Sequence, residues 1–290
     1  MPRRRMSSSS RSQEREPMLL DHVIVSRTSY RSGRTYDIIM SNVSVVNHLL
    51  DEGAEGDELS PEALGSYHVD FYEAQVENGG IDQFVHNSGW DPFIIGHVSK
   101  GLELMGATRH AELFARVQQV MDSLSDEERA AIWDDGVFGD DRVTAFDVLT
   151  DEFVELNEEE RLETLNAAFL RGLPNLEVVR RRDLEERLAG VIATIPDLEQ
   201  RLAERAAQAE ATKPRFARVI EAICADRGWE LETITAGDPT ATHDGQQVIG
   251  WHFLTDHGHH WMIDLGDRAV VYDTDDNEIG VVDVSAVPGE

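Results

Sequence analysis

Residues 67–88 have the sequence YHVDFYEAQVENGGIDQFVHNS, and their pattern predicts two helices joined at a glycine pair. The first helix stops at Asn78-Gly79-Gly80, because glycine tolerates the left-handed backbone that a helix end requires. A short second helix then presents Gln83, Phe84 and Asn87. The segment pairs no nucleophile with a base, so it predicts a structural or binding element rather than a catalytic one.

The helical spacing of apolar residues extends on both sides of this segment, over residues 36–182. Ser60-Pro61 and Asp91-Pro92 each place an N-cap residue before a proline at the first helical position, which predicts that helices start there. Ser125 with Glu128 has the pattern of a capping box, another sign of a helix start. We therefore predict an acidic all-α domain over residues 36–182.

The composition changes outside this helical domain. Residues 1–35 are rich in arginine and serine without a regular period, which predicts a disordered basic arm. Residues 183–213 are rich in Arg, Glu and Ala and predict a connecting helix, bent at Pro196. Residues 214–290 contain an amphipathic helix followed by strand-like runs, which predicts a small α+β domain with an antiparallel β-meander. The predicted fold class of the chain is α+β.

The chain is strongly acidic, with 56 Asp and Glu residues against 26 Lys and Arg residues. Such a charge repels nucleic acid and membrane phosphates and attracts basic surfaces. We expect a cytoplasmic protein that is not an enzyme, needs no cofactor and binds basic proteins, with no direct contact to nucleic acid or membranes. A GC-rich genome or a high-salt cytoplasm would also give an acidic chain. The sequence leaves the oligomeric state open and allows a homodimer.

The acidity is locally dense, which favours a functional surface over a general bias. Residues 122–163 contain sixteen acids and only three arginines. Acids four positions apart on a helix are neighbours whose repulsion costs stability, and a basic partner would recover that cost. We predict that the partner-binding carboxylates are Asp126, Glu127, Glu128, Asp134, Asp135, Asp140, Asp141, Asp151, Glu152, Glu155, Glu159 and Glu163.

The segment quoted first resembles the DNA-mimic protein family, a group of acidic helical domains of which most have no assigned function. The resemblance covers roughly residues 36–180 and is strongest over residues 67–107. The residues that fill the places of the family pattern are Tyr67, Glu73, Val76, Asn78, Gly79, Gly80, Gln83, Phe84 and Asn87. One departure is Val85, where a second aromatic residue is common in the family.

The resemblance implies a protein whose surface carboxylates imitate DNA phosphates and sequester a DNA-binding protein, such as a transcription regulator. Because the shared residues are mostly core and turn residues, they argue for the fold more directly than for the partner. Asn78, Gln83 and Asn87 have two interpretations: a binding cluster, or side chains that cap helix ends and bridge the turn.

Two alternatives to the DNA mimic remain open from the sequence. The first is an immunity or accessory protein that neutralises a toxin or supports an enzyme, through the C-terminal domain. The second is a metal site in that domain, for which His257 and His259 are the candidate ligands. Their spacing matches no established metal motif.

Overall fold

The computed structural model describes residues 18–134, 144–243 and 245–289. The chain divides into two compact units, Met1–Leu198 and Glu199–Glu290. Helices dominate the first unit, and the second contains a five-stranded antiparallel sheet. The α+β fold class with a helical N-terminal domain is therefore confirmed.

The described part of the first unit has a short strand near its start and continues almost entirely as helices. Its elements are β1 (Ile24–Ser26), α1 (Arg27–Tyr30), α2 (Tyr36–Asp51), a short 3-10 helix (Gly56–Glu58), α3 (Pro61–Ser88), α4 (Pro92–Met105), α5 (Thr108–Ser123), α6 (Asp126–Asp134), α7 (Thr144–Glu159), α8 (Leu162–Gly172), β2 (Glu177–Val179) and α9 (Arg181–Ile192). Helix α10 (Leu198–Thr212) starts at the boundary between the units. In the described part of the chain, no helix has the length and apolar character needed to cross a membrane.

The predicted helix starts at Ser60 and Asp91 are confirmed. The Ser60 hydroxyl accepts a hydrogen bond from the Ala63 amide at 3.1 Å, and the Asp91 carboxylate accepts one from the Phe93 amide at 2.7 Å. Each cap precedes a proline at the start of its helix. Such a cap satisfies a backbone donor that the first turn leaves without a partner, and it contributes about 1 kcal/mol.

The described residues of the first unit form two hydrophobic cores. The first core packs α3, α4, α5 and α7 around the fully buried ring of Tyr72. This ring meets Phe84, Phe114 and Phe153 edge to face, at centroid distances of 4.9, 5.1 and 5.5 Å. Edge-to-face contacts of this kind are favoured by the ring quadrupoles. The second core packs α2, α8 and α9 against β1 and the start of α3.

Residues 18–35 are folded, in contrast to the expectation of a disordered arm over residues 1–35. Strand β1 runs parallel to β2, with Ile24 opposite Glu177. Val23, Ile24 and Val25 are all buried in the second core. The removal of these apolar side chains from water, together with the pairing to β2, orders a segment whose arginines suggested disorder. Residues 1–17 lie outside the described residues.

The predicted connecting helix over residues 183–213 is two separate helices. Helix α9 ends at Ile192 and α10 begins at Leu198, so the bend expected at Pro196 is a complete break. Proline lacks the amide hydrogen that a continuous helix requires. Leu188 and Val191 of α9 are buried in the second core, which makes α9 part of the first unit.

In the second unit, a helix that follows α10 packs on a sheet. Its elements after α10 are α11 (Arg215–Arg227), β3 (Leu231–Asp238), β4 (Thr242–His243), β5 (Gln246–Gln247), β6 (Gly250–Thr255), β7 (Gly258–Asp264), β8 (Arg268–Tyr272) and β9 (Glu278–Asp283). The sheet has the order β3-β6-β7-β8-β9 with antiparallel neighbours, as the predicted meander requires. The small β4–β5 hairpin, which the sequence analysis did not predict, is inserted between β3 and β6.

Candidate partner-binding surface

Helix α7 displays carboxylates along its exposed side. The buried side of α7 carries Phe146, Leu149 and Phe153, which pack in the first core. Their positions determine which residues of α7 face solvent. At 3.6 residues per turn, successive residues are separated by about 100° around the helix axis, so the acids fall on two edges. Glu152 and Glu159 lie on the edge toward α5. The opposite edge carries Asp147, Asp151 and Glu158. Glu155 lies between the two edges and also lines the groove between α5 and α7.

Arginines of α5 compensate the charge on the first edge. Arg116 makes a bidentate ion pair with Glu152, in which the longer N···O distance is 2.8 Å. Arg109 Nη1 lies 2.9 Å from a carboxylate oxygen of Glu159. The hydrogen bonds from Arg116 hold the pKa of Glu152 below its usual value. These pairs line a groove of about 340 Å³ between α5 and α7, so two of the predicted binding residues have arginine partners inside the domain.

Three acids of α7 keep a negative charge that no cation compensates in the described part of the domain. Asp151, Glu155 and Glu158 are exposed, and no Lys, Arg or His side chain among the described residues lies within 4.0 Å of their carboxylates. Two valines lie among these acids, Val148 at 52% exposure and Val154 at 48%. We call Asp151, Val154, Glu155 and Glu158 the open edge of α7. It combines carboxylates that have no cationic partner among the described residues with an exposed valine side chain.

The described acids at the start of α6 stabilise the first turn of that helix. Glu128 accepts hydrogen bonds from the amide and the hydroxyl of Ser125, both at 2.8 Å, which confirms the predicted capping box. These bonds lower the pKa of Glu128. Asp126 and Glu127 are exposed in the first turn, where the helix dipole favours negative charge. Four further predicted binding residues cannot be placed: the side chain of Asp134 and all of Asp135, Asp140 and Asp141 lie outside the described part.

Glu73 and Asn157 join α3, α7 and α8 beneath the open edge. Asn157 Nδ2 donates to Glu73 at 3.1 Å and to Glu77 at 3.0 Å, and Asn157 Oδ1 accepts from the Leu162 amide at 2.8 Å. Glu73 also accepts from the Glu163 amide at 3.2 Å. Burial raises the pKa of Glu73 to about 7. The predicted binding residue Glu163 is partly buried at this junction.

Three amide residues of the family pattern bridge the two halves of α3. Gln75 Oε1 accepts hydrogen bonds from Gln83 at 2.9 Å and from Asn87 at 2.6 Å, and Asn78 donates to Gln83 at 3.0 Å. Gln83 is also buried, with 9% of its surface exposed. Because these side chains satisfy one another inside the domain, the geometry favours the bridging interpretation over a binding cluster.

Tyr67 and Phe84, the aromatic residues of the family pattern, also make internal contacts. The Tyr67 hydroxyl donates to Asn47 Oδ1 at 2.9 Å, and burial raises the pKa of that hydroxyl. Phe84 is fully buried in the first core. The family pattern therefore corresponds to packing and helix connections, and the exposed acids lie elsewhere.

The helix break predicted at the glycine pair is confirmed within α3. Gly80 adopts φ 83° and ψ −176°, a conformation essentially restricted to glycine. The Ile81 amide, freed by this break, donates to the Thr150 hydroxyl of α7 at 2.9 Å. A β-carbon on Gly80 would lie 3.0 Å from that hydroxyl oxygen. The break therefore also fixes α7 against α3.

Gly80→Ala is expected to lower the free energy of unfolding by about 3 kcal/mol, through backbone strain and crowding against Thr150. Gly89→Ala is the matched control, since Gly89 has φ 58° but open space around its β-carbon position. That control should cost about 1 kcal/mol, the strain of a left-handed residue alone. Urea denaturation of both variants measures the difference, and equal losses would contradict the assigned role of Gly80.

His257 and His259, the two candidate metal ligands, have different neighbours. The His257 ring stacks on Trp229 at a centroid distance of 6.0 Å and pairs with Asp256 at 2.9 Å. His259 Nε2 lies 3.1 Å from His252 Nδ1 instead. Over the described residues, no group of three or more His, Cys, Asp or Glu side chains is arranged to hold a metal ion. This geometry does not support a metal shared by His257 and His259.

The sequence analysis missed the arginine partners of α7. Arg109 and Arg116 are seven positions apart on α5, and Glu152 and Glu159 have the same spacing on α7. Equal spacing of opposite charges on two helices is the signal that would have indicated antiparallel pairing. It also missed Asn157, whose polar side chain at a core-facing position of α7 was the available sign of a buried hydrogen-bonding junction.

Comparison with known proteins finds a family model that matches part of the first unit. Residues 57–173 match a family model described as DMP19-like protein. The matched region runs from the 3-10 helix to the end of α8 and therefore includes the glycine break and the open edge of α7. No curated protein and no solved structure matches the chain. At the level of the family, the match agrees with the resemblance to DNA mimics.

Proposed function

We propose that the helical domain binds a basic protein surface in place of DNA, and that this chain acts as a binding protein rather than an enzyme. The observation that carries the proposal is the open edge of α7. There Asp151, Glu155 and Glu158 are exposed without a cationic partner in the described part of the first unit. The family match over residues 57–173 supports the same role.

The energetics of the open edge favour a role in binding over a role in folding. Asp151 and Glu155 are four positions apart on one helix, where like charges destabilise by about 0.2–0.5 kcal/mol. The α5-facing edge shows that this domain can supply arginine partners, since Glu152 and Glu159 have them. A basic partner that supplies the missing cations turns the repulsion into attraction.

The charge density of the open edge is comparable with that of a DNA strand. At a rise of 1.5 Å per residue, the seven-residue separation of Asp151 and Glu158 corresponds to about 10 Å. Three carboxylates over this distance give one charge per about 5 Å, against one per about 3.4 Å along a single DNA strand. Asp126 and Glu127 at the start of α6 add further exposed charge. The proposed partner is therefore a DNA-binding protein, such as a transcription regulator, that uses its DNA-contacting cations.

Affinity capture with the full chain at low salt tests this function. We expect a DNA-binding protein to be retained, to elute steeply as salt is raised, and to be displaced by duplex DNA, because both anions would occupy one basic surface. Retention of a toxin or an enzyme that duplex DNA does not displace would contradict the proposal. It would favour the alternative of an immunity or accessory protein.

A further inference from the structure

A cleft of about 550 Å³ lies between α3 and α7, directly beside the open edge. Its lining residues are Glu77, Phe153, Val154, Asn157, Glu158 and Arg161. Phe153 and Asn157 are buried at its base, and Glu77, Val154 and Glu158 are exposed at its sides. The cleft therefore combines an apolar wall with two carboxylates from different helices.

The hydrogen bonds around the cleft leave its carboxylates available. Asn157 Nδ2 donates to both Glu73 and Glu77, which uses both of its hydrogens and holds the Glu77 side chain in position through a single oxygen. The second oxygen of Glu77 has no hydrogen-bond partner among the described residues. Glu158 is exposed and makes no ion pair in the described part of the chain. Arg161 contacts Glu163 instead, at 3.9 Å.

We propose that this cleft receives an arginine side chain of the basic partner; the proposal rests on the binding function proposed above. A guanidinium carries five N–H donors in a planar fork, so it can bond to Glu77 and Glu158 together. The aliphatic part of the arginine side chain would cover Val154, which is 48% exposed. Lysine fits less well, because its ammonium is a compact and strongly hydrated charge. A second copy of this chain fits worst, since its open edge would bring like charges together.

The test uses capped hexa-arginine and hexa-lysine peptides, which carry equal charge, and measures their binding to the full chain by calorimetry. We expect hexa-arginine to bind about tenfold more tightly, the effect of one additional charge-assisted hydrogen bond. Glu77→Gln and Val154→Ser should each reduce this preference for arginine, and Glu77→Gln should weaken hexa-lysine binding by only about threefold, the effect of one exposed charge. Glu112→Gln, which removes an exposed carboxylate on α5, is the matched control and should keep the preference.

Arg161→Gln distinguishes a role of the cleft in binding from a role in the structure of the domain, because a structural role would not predict stronger peptide binding. Removing a cation from the wall of the cleft should strengthen hexa-arginine binding about threefold, the effect of one exposed charge. Equal affinities for the two peptides in the unmodified chain would overturn the arginine cleft and leave the acidic binding surface in place. Failure of both peptides to bind at low salt would overturn both proposals. A preference for arginine that survives Glu77→Gln and Val154→Ser would overturn the cleft alone.

Discussion

Replacing Asp151, Glu155 and Glu158 together with their amides is expected to weaken binding of the captured DNA-binding protein about 100-fold. Each exposed ion pair is worth up to about 1 kcal/mol, and about 1.4 kcal/mol corresponds to a tenfold change in affinity. The loss should be greatest at low salt and shrink as salt is raised, because screening removes the same interactions. Calorimetric titration at two ionic strengths measures both effects.

A matched triple variant in the second unit distinguishes the contribution of the open edge from the contribution of the net charge of the chain. Glu232→Gln, Asp267→Asn and Glu278→Gln remove three exposed carboxylates and change the net charge by the same amount. We expect this control to weaken binding less than threefold, since these carboxylates are not part of the proposed binding surface and contribute only to the net charge. Equal losses in the two triple variants would show that total charge matters and the open edge does not.

The choice of these three acids could not be made from the sequence. Sequence spacing groups Glu159 with Asp151 and Glu155, whereas the structure pairs Glu159 with Arg109, a residue 50 positions away. Glu152 is likewise compensated by Arg116, 36 positions away. Glu158, which was not among the predicted binding residues, belongs to the uncompensated edge. The sequence indicated that the region is acidic, but long-range packing determines which acids remain without a cation.

Elements that depend on interactions between residues close in the sequence were predicted, and an element that depends on distant residues was missed. Helix starts at Ser60, Asp91 and Ser125 depend on hydrogen bonds within three residues, and all were predicted. The β-meander depends on short turns between neighbouring strands, and it was also predicted. Strand β1 was missed because it has only three residues and its partner β2 lies about 150 positions later. No local pattern distinguishes such a strand from an irregular terminal segment.

The Glu73→Gln variant is expected to be more stable than the unmodified protein above pH 7, by an amount on the order of 3 kcal/mol. The pKa of the Glu73 carboxyl is 4.5 in its ordinary state and about 7 in the folded protein, because burial disfavours the charged form. Between these pH values the folded protein holds a proton that the unfolded chain has released. The free energy of unfolding therefore falls as pH rises through this window, and the variant lacks this fall.

Urea denaturation at pH 4.5, 6 and 8 tests this expectation, with the exposed Glu112→Gln as the control for net charge. The difference between Glu73→Gln and the unmodified protein should be near zero at the lowest pH and grow toward the highest. The amide oxygen of glutamine can still accept from Asn157 and from the Glu163 amide, so the junction of α3, α7 and α8 should remain intact. Partner binding should then be unchanged, because the open edge of α7 keeps its position. A stabilisation that is independent of pH would instead indicate better packing and would contradict a buried, proton-linked Glu73.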